Sequence, residues 1–329
     1  MAARRNKAVD WLVYFVVRVV LCVLQTLTLE ACGHLARGIA WLLNDVLRVR
    51  RRTTEENLQL IFPELTAEQR LTISRRMWES LFLTVCEVAQ APRRLHDTNW
   101  RTYIDLSREH KRQIVQMLLD SRPVVVVSGH YGNFELGCFI IGLLGFPSHA
   151  LVRPLDNPYL NDYLQRFREM KGQYLLPKDG SANQIAALLE TGGKLVLAGD
   201  QHAGPKGCWV DFLGRPASCH KGVALFTLTS GAPMVVVTVT RQADPEKLQA
   251  RPMKFQVRVE GVADPRELPS ELASVTGLTR WYNLRLEQGI RRQPHQYWWL
   301  HRRWRDAPPP RRAKNSDAPP QTDAQRPAA

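Results

Sequence analysis

Residues 8–29 read AVDWLVYFVVRVVLCVLQTLTL, an apolar run broken by Arg18 and a few flanking polar groups. Its length is close to the ~20 residues with which a helix crosses a hydrocarbon core of ~30 Å. The pattern therefore predicts an N-terminal hydrophobic membrane helix within an anchor segment at 1–33. A single span, a re-entrant hairpin and a helix lying in the interface all satisfy it. A cleavable signal fits less well, because the run is longer than a usual signal core and Glu30 suits a cleavage site at LEAC poorly. Arg4, Arg5 and Lys7 precede the run and Arg37, Arg48, Arg50, Arg51 and Arg52 follow it, so flanking charge leaves the orientation open.

Beyond this run no stretch is long and apolar enough to span a bilayer. Helical periodicity marks 34–49 and 66–91, within a helical lead-in at 34–120. The second helix opens at Thr66 with Glu68 and Gln69 in its first turn, and it carries Leu71, Met77, Trp78, Leu81, Phe82 and Val85. From Pro123 the pattern changes. Short β-branched runs (VVVVS, HALVR, KLVLAG, PMVVVTVT, FQVRVE) are interspersed with helical segments at 134–144, 158–171, 183–191 and 221–230, and a helix near 270–292 follows. Unalternated apolar runs are strands buried on both faces. The expectation is an α/β core at 121–306, a mainly parallel mixed sheet covered by helices, within one domain at 34–306. From Ala307 the chain turns into APPPRRAKNSDAPPQTDAQRPAA, too poor in large apolar residues to fold, and 307–329 is expected to be a disordered Pro-rich tail.

Composition narrows the partners. The chain of 329 residues has a formal charge of +14, which suits phosphates, acidic proteins or anionic lipid. The 6 cysteines form no CxxC pair and have no histidines at ligand spacing, so no metal is expected. P-loop and GxGxxG sequences are absent, which removes the simplest nucleotide-binding readings.

The chemistry begins where VVVVSGHYGNFELG, residues 124–137, carries His130 at the end of an apolar strand. Ligands gather outside the carboxyl ends of strands in open α/β sheets. Gly129 and Gly132 permit tight turns around His130, and Asn133 suits the cap of the next helix. Glu135 then falls in that helix's first turn, within reach of the imidazole. A neutral His130 so held is a general base able to deprotonate a substrate hydroxyl as that oxygen attacks a carbonyl. The plainer alternative has His130 bonded within its own loop and Glu135 facing the helix dipole.

HYGNFE resembles the HX4(D/E) motif of the lysophospholipid and glycerolipid acyltransferases, in the HxGNxE form of the bacterial lipid A biosynthesis (late, secondary) acyltransferases. RPLDNPYLNDYLQRFREMKG (153–172), GDQHAGPKGCWVDFLGRPA (199–217), PHQYWWLHRRWR (294–305) and NLQLIFPEL (57–65) extend the resemblance to nearly the whole chain apart from the tail. It implies a glycerolipid acyltransferase-like fold and transfer of a fatty acyl chain from acyl carrier protein, or acyl-CoA, to a hydroxyl of a membrane glycolipid, with no cofactor or metal. It further implies His130 as base, Glu135 as its orienting partner and Arg153 as a positive group near the thioester or its developing oxyanion. Because both donors are cytoplasmic, the implied place is the inner membrane with the catalytic domain facing the cytoplasm.

Arg153 and Asp200 each close a strand, so both are expected on the edge that carries His130. Asp200 either orients acceptor hydroxyls or restrains a nearby basic group. Members of the resembled family often carry a further acid just after this position, where this chain has Gln201 and His202. That leaves the acceptor open between a lipid A-type glycolipid and a lysophospholipid or aminolipid. Asn133 and Arg168 are expected to contact substrate, Arg168 by binding an acceptor phosphate or by pairing with a neighbouring acid. Arg302 and Arg303, with Arg305, are expected to receive acyl carrier protein or anionic membrane lipid. Aromatics interleaved with arginine in YWWLHRRWR would also suit nucleic acid, but no RNA-binding or helix-turn-helix signature accompanies them. A noncatalytic basic binding protein is the remaining alternative.

Overall fold

A computed structural model describes residues 6–306 apart from 171, 178–179 and 244–249. The tail expected to be disordered lies outside the described residues. The lead-in forms helices α1 (Lys7–Thr26), α2 (Leu29–Trp41), α3 (Arg51–Ile61) and α4 (Ala67–Arg94), with one π-helical turn at Leu42–Val46 after α2. Thr66 starts α4 through a capping box with Gln69. The chain then alternates: β1 (Ile104–Asp105), α5 (Arg108–Leu119), β2 (Val124–Ser128), α6 (Phe134–Leu143), β3 (Ser148–Val152), α7 (Pro158–Glu169), β4 (Gln173–Pro177), α8 (Ala182–Glu190) and β5 (Lys194–Ala198). A hairpin of β6 (Cys208–Phe212) and β7 (Arg215–Cys219) precedes α9 (Gly222–Ser230), β8 (Met234–Ala243), β9 (Ala250–Ala263) and α10 (Val275–Arg292).

Seven strands make one sheet in the order β1-β9-β8-β2-β5-β3-β4. Every neighbouring pair in it is parallel except β8 with β9. The fold is thus α/β, a mostly parallel mixed sheet under helices, as the unalternated runs predict. Val124–Val127 of β2 are all buried, because helices cover both faces at the sheet's centre. The sequence pattern assigns no element at α3, β1, α5, β4 or the β6–β7 hairpin, short segments in which polar positions outnumber or interrupt the apolar ones.

Helix α1 is docked rather than free. Asn157 Nδ2 donates to the Asp10 carbonyl at one end (2.8 Å), and Gln25 Nε2 donates to the Ala89 carbonyl near the other (3.1 Å). Between them Arg18 lies over the Tyr163 ring at 4.4 Å. Asp10, Arg18 and Gln25 lie on one helical stripe. Val9, Trp11, Val13, Val16, Val20 and Val23 point away from the protein and are exposed.

Under the sheet's central edge lies a buried ion pair. Arg241 of β8 donates to both carboxylate oxygens of Glu87 in α4 (2.9 and 2.8 Å from Nε), and its remaining nitrogens reach Ser80 and Thr84. Glu87 also accepts from Asn133 Nδ2 (2.8 Å) and the Met253 amide (3.0 Å). Both partners are at most 1 % exposed, so each depends on the other for its charge to be tolerated. Removing one charge leaves the other buried and unpaired. Glu87→Ala is expected to destabilise the protein by about 3–5 kcal/mol, read as a lower denaturant midpoint; an unchanged midpoint would contradict this account.

Candidate active site

The site is assembled by strand register. β2 and β5 are parallel neighbours with Ser128 opposite Ala198, so the second residue beyond each, His130 and Asp200, leaves the same carboxyl edge side by side. The Asp200 carboxylate grips the loop twice: Oδ2 accepts the His130 amide and Oδ1 accepts Nδ1, both at 2.9 Å. A carboxylate only accepts, so the proton sits on Nδ1 and the Nε2 lone pair faces outward. Gly129 is needed for this approach, since a Cβ there would meet Asp200 Cγ at 3.1 Å. Gly132, at φ +63°, lies against β8, where a Cβ would come within 2.0 Å of the Val239 carbonyl oxygen. The His130 carbonyl accepts from the Trp298 amide (3.0 Å), and the rings of Phe134 and Trp298 flank the imidazole with centroids at 4.9 and 5.2 Å.

Burial pulls the His130 pKa down, but the Asp200 charge, its hydrogen bond and the more distant charge of Glu135 outweigh this, and the net direction is upward. For Asp200 burial pushes upward, yet the charge of His130 and two hydrogen bonds from it hold the carboxyl below its ordinary value. Gln201 Nε2 sits 3.2 Å from His130 Nε2, on the atom that an acceptor hydroxyl would approach.

Glu135 stands elsewhere than expected. It receives two hydrogen bonds from Arg168 of α7 (2.7 and 3.2 Å) and makes no hydrogen bond to His130. The first turn of α6 faces α7, and Asp200 already occupies Nδ1. Arg168 thus takes the second of the roles anticipated for it, pairing with an acid. His130, Arg153 and Arg168 border one cleft of about 420 Å³. Arg153 projects from its rim, 82 % exposed, with Asp156 at 3.8 Å.

Three expected substrate contacts lie away from this cleft. Asn133 is fully buried; its oxygen caps α6 through the Leu136 amide and its nitrogen is spent on Glu87. Arg303 is 1 % exposed, donates to the Ser218 carbonyl and to Cys219 Sγ, and lies over the Phe212 ring, so it cannot meet a carrier protein or a lipid. Arg302 is exposed but lines a different concavity. Conversely, the sequence reading passed over Glu87, Arg241 and Gln296. Gln296 clamps the Arg241 backbone from both sides (2.9 Å each) while its carbonyl holds the Gly132 amide. A signal existed for Glu87, which shares a helical face with the buried Leu83 and Ala91.

Behind His130 the cleft continues into a chamber of about 160 Å³ beside Glu135 and Cys138. Ser128, Phe134, Cys138 and Val196 are shared with a narrower cavity of about 90 Å³. That inner end lies among Ile114, Met117, Ile140, Val235 and Val257, between the sheet and α5 and α6. Among the described residues no three His, Cys, Asp or Glu side chains cluster so as to hold a metal ion.

A family model described as bacterial lipid A biosynthesis acyltransferase matches residues 2–306. The lipid A biosynthesis palmitoleoyltransferase of Escherichia coli (strain K12) is 27% identical over 303 residues, 91% of this chain and 92% of that protein. The lipid A biosynthesis lauroyltransferase of the same strain is 25% identical over 304 residues, 91% of this chain and 92% of its own. Among solved structures, the 1-acyl-sn-glycerophosphate (LPA) acyltransferase PlsC from Thermotoga maritima aligns with 82% of this chain and 100% of its own, at 13% identity and a TM-score of 0.39, too loose to assign the fold.

A base must be neutral to act, so any His130-dependent rate should rise with pH through a pKa above the ordinary histidine value of ~6.5. Asp200→Asn removes the charge that raises it and leaves the burial that lowers it. The acid limb of the pH–rate profile should therefore move to lower pH while the maximal rate falls by about 10²-fold or more. An acid limb that stays in place would refute the pairing as its cause.

Proposed function

The chain belongs to the bacterial lipid A biosynthesis acyltransferase family, and from that premise we propose that it transfers a fatty acyl chain from acyl carrier protein or acyl-CoA to a hydroxyl of a lipid A-type glycolipid, with His130 as general base. It is an acyltransferase of the inner membrane; family membership sets aside a noncatalytic basic binder. The observation that carries the proposal is the position of His130, at the junction of a polar cleft and an apolar channel. A thioester donor needs both, a dry seat for its chain and a base at its carbonyl.

In the proposed reaction His130 Nε2 takes the acceptor's proton as the hydroxyl oxygen bonds to the thioester carbonyl carbon. Asp200 holds Nδ1–H and stabilises the imidazolium that forms. Collapse of the tetrahedral intermediate breaks the carbon–sulfur bond, and His130 returns the proton to the leaving thiolate. Gln201 swings aside for the hydroxyl. Glu135 raises the basicity of His130 by its charge and fixes Arg168 in the cleft wall. Arg153, loosely paired with Asp156 at the rim, turns toward the developing oxyanion, a contribution of about 3 kcal/mol if it equals a usual oxyanion donor.

The placement we favour rests on α1. The helix is long and apolar enough to cross a bilayer, but it is tied at residues 10 and 25, about 22 Å apart, to the same body, which favours a helix lying along the surface. We place it along the inner leaflet, exposed stripe inward, with the catalytic body on the cytoplasmic side where both donors are found.

His130→Ala should lower acyl transfer by about 10²–10⁴-fold with the fold intact by circular dichroism; undiminished transfer would remove His130 as base. Gly137→Leu, which fills the inner cavity from α6, should shift donor preference to shorter chains in competition assays. Mass spectrometry of lipids from cells lacking the protein should find a glycolipid short of one acyl chain. Accumulated lysophospholipid would move the reading to the lysophospholipid acceptor.

A further inference from the structure

Away from the His130 cleft, and sharing none of its lining residues, a concavity of about 610 Å³ is walled by Arg48, Arg50, Arg51, Arg52, Arg302 and Arg305, with Trp304 and Leu60 at its sides. The one acid in its wall among the described residues, Glu56, is bonded to Arg52 (2.7 Å), and Arg305 lies 3.8 Å from Asp306. Among the described residues no carboxylate forms an ion pair with Arg48, Arg50, Arg51 or Arg302. Glu56, Asp306 and the more distant Asp45 offset part of this charge; guanidinium groups in such excess over their counter-charges repel one another, and the arrangement is relieved by an anion.

The basin is built, and it does not follow from one basic run. Its arginines come from two segments some 250 residues apart in the chain, and buried Asn57 joins them, donating from Nδ2 to the carbonyls of Trp299 (2.8 Å) and His301 (2.9 Å). Arg48 and Arg50 hold left-handed backbone, φ 51° and 53°, where glycine or asparagine would sit without strain.

We propose that this basin binds the phosphate of an anionic lipid headgroup in the plane of the membrane. Guanidinium forks match phosphate oxygens bidentately. The source is fixed by what adjoins the basin. Trp41, Leu42, Val46, Leu47 and Val49, which lead directly into it, are exposed large apolar side chains. With these side chains dipped below the headgroups, the interleaved Arg48 and Arg50 stand at phosphate level, and half-buried Trp304, its ring stacked on Phe212, forms the basin's inner wall. The exposed stripe of α1 supplies a second apolar contact on the same chain. The site needs no acyl-transfer chemistry, so it stands or falls apart from the role of His130.

The test uses the full chain in a neutral detergent, titrated calorimetrically with short-chain phosphatidic acid and separately with inorganic phosphate. The comparison is R48Q/R50Q/R302Q/R305Q, with R302Q/R305Q as the milder variant should the fourfold change impair folding. Phosphatidic acid should bind the wild type at least tenfold more tightly than either variant, with an affinity that falls as salt is raised, and more tightly than inorganic phosphate does. Equal binding by wild type and variants overturns the proposal. Inorganic phosphate binding as tightly as the lipid overturns the lipid source. Unchanged lipid binding, with a KM raised only for acyl carrier protein thioesters, overturns it in favour of carrier docking.

Discussion

The ion pair of Glu87 with Arg241 joins four parts of the molecule through one buried carboxylate. Glu87 belongs to the helical lead-in, Arg241 to the sheet, and the same carboxylate reaches Asn133 in the His130 loop and the Met253 amide in β9. Charges this deeply buried are tolerated only when every lone pair and proton has a partner. That requirement makes α4 part of the candidate site's architecture: without it Arg241 would be uncompensated, and Asn133 would lose the partner that sets its cap on α6.

On this base the chemistry depends on strand order. Parallel neighbours end at the same edge, so a residue shortly after β2 and one shortly after β5 emerge within hydrogen-bonding distance, although 70 positions separate them in the chain. The same edge receives β3, which brings Arg153 to the cleft mouth. Polar groups thus collect at the strand ends while the valines of β2, β5 and β8 line the apolar channel beneath. One sheet thus has a polar cleft on one side of His130 and an apolar channel on the other, the two halves that the proposed reaction calls for.

The outer surface repeats that division. α1 turns its polar stripe to the protein and its valines away, and the segment after α2 alternates exposed apolar residues with arginines. Both features suit a protein that meets a membrane.

Much of this was legible in the residues themselves. Buried valine runs announce a parallel sheet because a strand covered on both faces needs no polar alternation, and a histidine between two glycines at such a run's end announces a site. The helix start at Asn133 and the apolar N-terminal run are equally local. What only the tertiary structure decided was non-local. Asp200 rather than Glu135 holds His130, because strand order sets the first distance while the facing of α6 toward α7 sends Glu135 to Arg168. Arg303 is buried and Arg302 is not, though they are adjacent, because β7 packs over one side of that segment alone. Periodicity and turn chemistry act over a few residues and can be read along the chain; which strands become neighbours is settled by the packing of the whole core.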